Sequence, residues 1–266
     1  MCYNESKAGV FMYYRFSVDD NIWFLQDLSN NDYDSIFDNS YLKLYKRLHD
    51  TYDAKFQMNI YFETDGFDLT LMTDRYKDEW IRNSDWLRLS FHAKADRPDC
   101  PYMNASYDEA YNDCKKVHDE IIRFAGKETL DLYTTIHYCQ ASPDAIRGFR
   151  DAGLKGLVGL FEPGRSCYGL AFDSFNEPYK YDEKSSLYYF VNDMIINLFP
   201  IEEIVPRLEK VKEKKFVEVM IHEQYFYNHF FMYQPDFKEK VEAAVKYLTD
   251  SNRKSVFLDD ILGAEQ

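Results

Sequence analysis

The feature that most constrains this chain is an alternation of two kinds of segment. Short runs rich in aromatic and β-branched residues are followed by longer stretches with apolar residues at helical spacing. Val10–Val18 (VFMYYRFSV), Phe56–Phe62 (FQMNIYF), Trp86–Phe91 (WLRLSF), Leu130–Ile136 (LDLYTTI), Gly156–Leu160 (GLVGL), Leu187–Val191 and Phe216–Ile221 (FVEVMI) are predicted strands, with Ser255–Leu258 a last extended piece. Ser35–Tyr52, Asp74–Asn83, Tyr107–Gly126, Pro143–Ala152, Ile201–Lys214 and Asp236–Thr249 are predicted helices. No repeat, low-complexity tract or linker interrupts them, so one domain is expected over residues 1–266. The Gly/Pro/Ser/Asn-rich stretch 161–186 reads as an insertion within it. Such alternation predicts an α/β fold with a parallel sheet. SVDDN, which follows the first strand, contains neither G-x-G-x-x-G nor G-x-x-x-x-G-K, so dinucleotide-binding and P-loop folds are disfavoured. A closed or nearly closed (β/α) barrel fits better, with its site at the C-terminal ends of the strands.

Charge narrows the partners. Among 266 residues, 32 Lys and Arg face 46 Asp and Glu, a net charge of −14. That balance argues against nucleic acid and against an anionic membrane surface. Five cysteines, an odd number, include no C-x-x-C pair, so neither a disulfide framework nor a thiolate zinc site is expected. Reduced thiols, no basic-then-apolar leader in MCYNESKAGVFMYYRF and no membrane-length apolar run together predict a cytoplasmic location. The oligomeric state is left open.

The strand ends then direct attention to particular residues. The first strand ends in Asp19-Asp20, the third in His92 with Asp96 four residues on, the fourth in His137, and the Phe216 strand in His222-Glu223. Taken singly, each has a bland reading: a DD pair serves as a turn or helix cap, and His92 with Asp96 as an ion pair on one helical turn. Together they deliver carboxylate and imidazole groups to one rim of a barrel.

In order and spacing these segments resemble the polysaccharide deacetylase (NodB-homology) family, also called carbohydrate esterase family four. SVDDN at 17–21 resembles its T-F-D-D-G motif, and SFHAKAD at 90–96 its H-[ST]-x-x-H motif. SPDAIRGFRDAGLKGLVGL at 142–160 resembles the helix and strand after its third motif, VMIHE at 219–223 its closing motif, and RKSVFLDDIL its final strand. The similarity runs from about residue 11 to 262.

The resemblance implies a distorted, partly open (β/α)7 barrel and a metal-dependent hydrolase that removes N- or O-acetyl groups from a carbohydrate or glycan precursor. It implies Asp19 as general base, His222 as general acid, and Asp20, His92 and Asp96 as ligands of one divalent ion, whether Zn, Mn, Co, Fe or Mg. Asp96 replaces the motif's second histidine, which makes the ligand set harder and less zinc-selective. Asn21 replaces the motif's glycine and tolerates left-handed backbone. The third motif's base-orienting arginine is absent and His137 stands at that strand end, to replace it, bind metal or contact substrate. Tyr225, in the aromatic run QYFYNHFFMYQP, is a candidate for stacking on the apolar face of a sugar. Two alternatives stay open: a catalytically inactive barrel of the same ancestry that binds a glycan or partner, and a glycoside hydrolase pairing Asp20 with Glu63 or Glu223.

Overall fold

The computed structural model describes residues 12–175 and 177–263. Val10 and Phe11 of the first predicted strand, Cys2 and the first eleven residues of the segment searched for a leader lie outside the described residues.

Two parallel sheets join into a ring. In the first, β1 (Met12–Asn21) is flanked by β2 (Phe56–Tyr61) and, across the sequence, by Phe216–His222; β2 pairs onward with β3 (Leu87–Ala93). In the second, β4 (Tyr133–Thr134) pairs with β5 (Gly156–Gly159), and β5 with β6 (Leu187–Val191). Two joints connect the sheets. Leu89 of β3 bridges to Leu130, just before β4. On the other side one strand is split: β6 pairs with β5, and after two residues β7 (Met194–Ile195) pairs with β8 (Phe216–His222) of the first sheet. The predicted α/β barrel is therefore the observed architecture, irregular where the split strand passes between sheets. Stretch 161–186 holds a short hairpin, Ser166–Cys167 with Leu170–Ala171, and the strand Tyr179–Asp182, antiparallel to β6.

Helices α1 (Trp23–Asn30), α2 (Ser40–Tyr52), α3 (Lys77–Arg82), α4 (Tyr107–Ala125), α5 (Pro143–Asp151), α6 (Ile201–Glu209) and α7 (Phe237–Asp250) lie between the strands in sequence. β9 (Arg253–Ser255) pairs with the start of β1 and leads into α8 (Leu258–Gly263). Helices α1 and α8 have no counterpart in the sequence reading. The others match it apart from their ends, and the Ser35 stretch opens with a separate 3₁₀ turn at Ile36–Asp38. Here Ser35 and Asp38 form a reciprocal capping box, and Asn39 then caps α2.

Because side chains alternate along a strand, the ring has two different faces. Tyr14, Phe16 and Val18 of β1, Phe56, Met58 and Ile60 of β2, and Val217, Val219 and Ile221 of β8 are buried in apolar core. The alternate set is polar apart from Met220 and meets inside the ring: Arg15, Ser17 and Asp19 from β1, Gln57, Asn59 and Tyr61 from β2, Glu218 and His222 from β8. The C-terminal end of this polar lumen carries the candidate site.

Candidate active site and metal centre

A bulge sends the two adjacent aspartates in different directions. The β1–β2 register shifts between Val18 and Asn21, and Asp20 has φ +63°, a left-handed conformation that costs a non-glycine residue about 1–2 kcal/mol. Asn21 holds the bulge closed: its Nδ2 donates to Val18 O (2.6 Å) and Asn59 O (3.0 Å), and its Oδ1 accepts from Tyr41 Oη (2.9 Å). The strained residue is thus Asp20 itself, and Asn21 contributes its side-chain amide rather than tolerance of left-handed backbone.

Asp20 meets two imidazoles. Its Oδ1 lies 3.0 Å from His92 Nε2 and 3.3 Å from His137 Nδ1, and those nitrogens are 3.2 Å apart. His92 Nδ1 is 2.5 Å from Thr135 O, and His137 Nε2 is 3.1 Å from Asp96 O. Carbonyls only accept, so those nitrogens carry the protons, and in the neutral rings the facing nitrogens present lone pairs. Two lone pairs and a carboxylate converging in a buried site repel one another unless a cation lies among them. Three ligands about 2.0–2.1 Å from one ion sit roughly 3.0–3.4 Å from each other, the separation seen here. Backbone carbonyls behind each ring supply the outer partners that metal-binding histidines normally have. Asp20, His92 and His137 therefore fit a divalent ion.

The sequence-derived ligand Asp96 stands at the edge of this group. Its side chain is half exposed and approaches Arg97, and its Oδ1 is 3.9 Å from His137 Nε2. Its backbone carbonyl supports His137. Tyr61 was not singled out by the sequence. Its buried hydroxyl donates to Asp20 Oδ1 and lies 3.1 Å from His137 Nδ1. The signal was the period-two series Gln57, Asn59, Tyr61, whose members all face the lumen.

Asp19 and His222 enter the same cavity, of about 380 Å³, which Asp20, His92, His137 and Tyr225 also line. Asp19 Oδ1 accepts from Asn59 Nδ2 at 2.6 Å. His222 Nδ1 is 2.9 Å from Asn197 Oδ1, and Nε2 has no hydrogen-bond partner among the described residues. Burial pushes the Asp19 carboxyl up, while His92 and His222 pull it back. Burial also acts against ionised Asp20, but the imidazoles of His222, His137 and His92, when protonated, outweigh it and hold that carboxyl well below the usual range. Tyr225 stands beside His222, ring centres 6.2 Å apart, with Phe230 packed edge-on against it.

The carboxylates of the glycosidase alternative are placed differently. Glu223 is fully buried and points away from the cavity. It accepts from the backbone N–H groups of Ile22, Trp23 and Phe24 at 2.6–3.0 Å and from Tyr227 Oη at 3.1 Å, so it caps α1, which has no side-chain cap of its own. Glu63 lies on a hairpin beyond Tyr61, next to Lys94.

No protein-family model matches the sequence, and no curated protein does so at significant similarity. Solved structures do match. A 4-alpha-glucanotransferase from Thermococcus litoralis aligns with TM-score 0.62 at 12% identity over 95% of this chain, which spans only 40% of that enzyme. A family 4 acetyl xylan esterase from Clostridium thermocellum, in complex with cobalt, aligns with TM-score 0.56 at 12% identity over 95% of this chain and 91% of its own. A CE4 family pseudoenzyme from Bacillus anthracis aligns with TM-score 0.53 at 9% identity over 95% of this chain and 66% of its own. At these identities the likeness is one of fold: the chain has the distorted (β/α) barrel of the polysaccharide deacetylase type, with an Asp-His-His group suited to a metal ion where its strands end.

Proposed function

We propose that the protein is a metal-dependent hydrolase that removes N- or O-acetyl groups from a carbohydrate or glycan precursor. The observation that carries this reading is the convergence in one cavity of a three-atom group that could hold a metal ion, a carboxylate beside it and an imidazole whose Nε2 has no hydrogen-bond partner among the described residues. Asp20, His92 and His137 would hold the ion, with Asp96 beside them at the rim. When bound, a divalent ion acts as a Lewis acid and lowers the pKa of water. Asp19 takes a proton from the attacking water on its free oxygen, Oδ2. His222, held by Asn197 at Nδ1, delivers a proton from Nε2 to the leaving nitrogen or oxygen. Tyr225 offers a ring face to the sugar. Unpaired Cys100, Cys114, Cys139 and Cys167 suit a reducing compartment such as the cytoplasm.

The test is turnover of acetylated sugars and of 4-nitrophenyl acetate by protein loaded with Zn, Mn, Co or Fe. Acetate release that needs metal and is lost in Asp20→Asn supports the reading; tight metal binding with no release from any substrate overturns it. The second result favours an inactive barrel that binds a glycan, a reading supported by the absent third-motif arginine and by the pseudoenzyme among the fold neighbours.

A further inference from the structure

We propose that Arg15, Gln57 and Asn59 form a one-way hydrogen-bond relay through the barrel that positions Asp19, the task that the resemblance assigns to an arginine this chain lacks. The inference rests on reading Asp19 as the base.

The direction of the relay is dictated by its first member, since a guanidinium only donates. Arg15 Nε donates to Gln57 Oε1 at 3.3 Å. That leaves the Gln57 amide one orientation, and its Nε2 donates to Asn59 Oδ1 at 2.7 Å and to Tyr133 O at 2.6 Å. Asn59 is oriented in turn, and its Nδ2 donates to Asp19 Oδ1 at 2.6 Å. Every member is buried. The cationic end is anchored by Glu218, which also accepts from Ser17 Oγ. Asp19 Oδ1 is thereby held as an acceptor, and Oδ2 is the oxygen left for a proton.

Packing alone gives no reason for this construction. A buried ion pair with two buried amides is costly to desolvate, and an apolar lumen of the same volume would be about as stable or more so. The outer face of the same strands is filled with Tyr, Phe, Val, Met and Ile. The polar series instead runs without a break from the barrel floor to the carboxylate beside the metal site. Gln57 touches neither the cavity nor the candidate ligands; its Nε2 reaches Asn59 Oδ1 and Tyr133 O, so its path to Asp19 runs through Asn59, and the double variant of Gln57 and Asn59 separates that path from the one through Tyr133.

The test uses metal-loaded protein and 4-nitrophenyl acetate. Asn59→Leu is expected to lower kcat by about 10²-fold and Gln57→Met by about 10-fold, with KM and metal content within about twofold of the parent. The double variant should be no slower than Asn59→Leu, because the relay is already cut. Gln57→Glu keeps shape but removes the donor, and it should behave as Gln57→Met. Parental kcat in both folded Gln57 variants overturns the relay. Side-chain amide NMR reads the relay without turnover: a downfield, slowly exchanging Asn59 NH₂ pair that collapses to ordinary shift and exchange in Gln57→Glu supports it, and an unchanged pair overturns it. Parent protein that binds metal yet releases no acetate sinks the hydrolase reading, while the NMR comparison still decides the relay.

Discussion

Asp19 and His222 are register partners on adjacent parallel strands, β1 and β8, at the last position where the two strands pair. Their side chains enter the same cavity, one oxygen of Asp19 held by Asn59 and one nitrogen of His222 held by Asn197. The proposed base and the proposed acid are thus set side by side by the sheet, and among the described residues each keeps one atom without a hydrogen-bond partner. The bulge one residue later turns Asp20 toward the two histidines, so neighbouring aspartates serve different partners.

The ligand geometry predicts unequal losses of metal. Asp20→Asn, His92→Ala and His137→Ala should each reduce affinity by more than the roughly 10–100-fold expected when only an outer partner is removed. Asp96→Ala keeps the backbone carbonyl that supports His137 and should change affinity by less. Asp19→Asn should keep its metal, since that carboxylate faces Asn59. Metal titration of the five variants checks this; an Asp96→Ala loss as large as that of His137→Ala would restore Asp96 as a ligand.

Leaving-group chemistry isolates His222. Hydrolysis of an N-acetyl sugar needs a protonated leaving amine, whereas 4-nitrophenolate departs unaided. His222→Ala is expected to slow the amide by about 10²–10⁴-fold and the nitrophenyl ester by much less. Asn197→Leu, which removes the partner of Nδ1, should show the same pattern more weakly. Equal losses on both substrates would mean that His222 serves binding or structure instead of donating a proton.

What could be read from the sequence follows from how local each feature is. Strand ends lie in local pattern, so Asp19, Asp20, His92, His137 and His222 could all be assigned to one rim. Which three come together as a group that could hold an ion depends on a bulge of one residue and on the strand order β2–β3–β4, and neither leaves a trace in spacing. The i, i+4 pair His92/Asp96 pointed along the chain, while the geometry brings in His137, which opens a 3₁₀ turn three residues beyond β4 rather than ending the predicted strand Leu130–Ile136. Helix α1 escaped notice because its cap is Glu223, about 200 residues away in sequence. The lumen-facing series was visible as alternation in β1, β2 and β8, yet aromatic residues at intervening positions made those strands look uniformly apolar.

The cap makes Glu223 a stability residue. Glu223→Ala leaves three backbone N–H groups at the start of α1 without their acceptor, and should cost about 2–4 kcal/mol. Glu223→Gln keeps one carbonyl oxygen and should cost less. Both should bind metal as the parent does. Chemical denaturation and metal titration together check the assignment. A Glu223→Gln protein of parental stability that has lost all turnover would bring back the glycosidase reading.

His118 gives a pH dependence separate from the site. It lies on α4, with Nδ1 3.2 Å from Ala152 O and Nε2 3.6 Å from Cys114 Sγ. Both nitrogens are thus engaged by the neutral ring, and burial pushes its pKa down to about 4. The unfolded chain, with an ordinary value of about 6.5, binds the proton first. Its folding contribution is therefore complete above about pH 6.5, falls as pH drops through that value, and levels off below about 4. By pH 5 the loss from this group is about 2 kcal/mol. Replacing it in His118→Gln should lower stability at pH 7 but flatten the decline between pH 7 and 5 by that amount, because all other titrating groups are common to both proteins. Urea denaturation at the two pH values measures the difference, and parallel declines would show that His118 takes up its proton in the folded state as readily as in the unfolded chain.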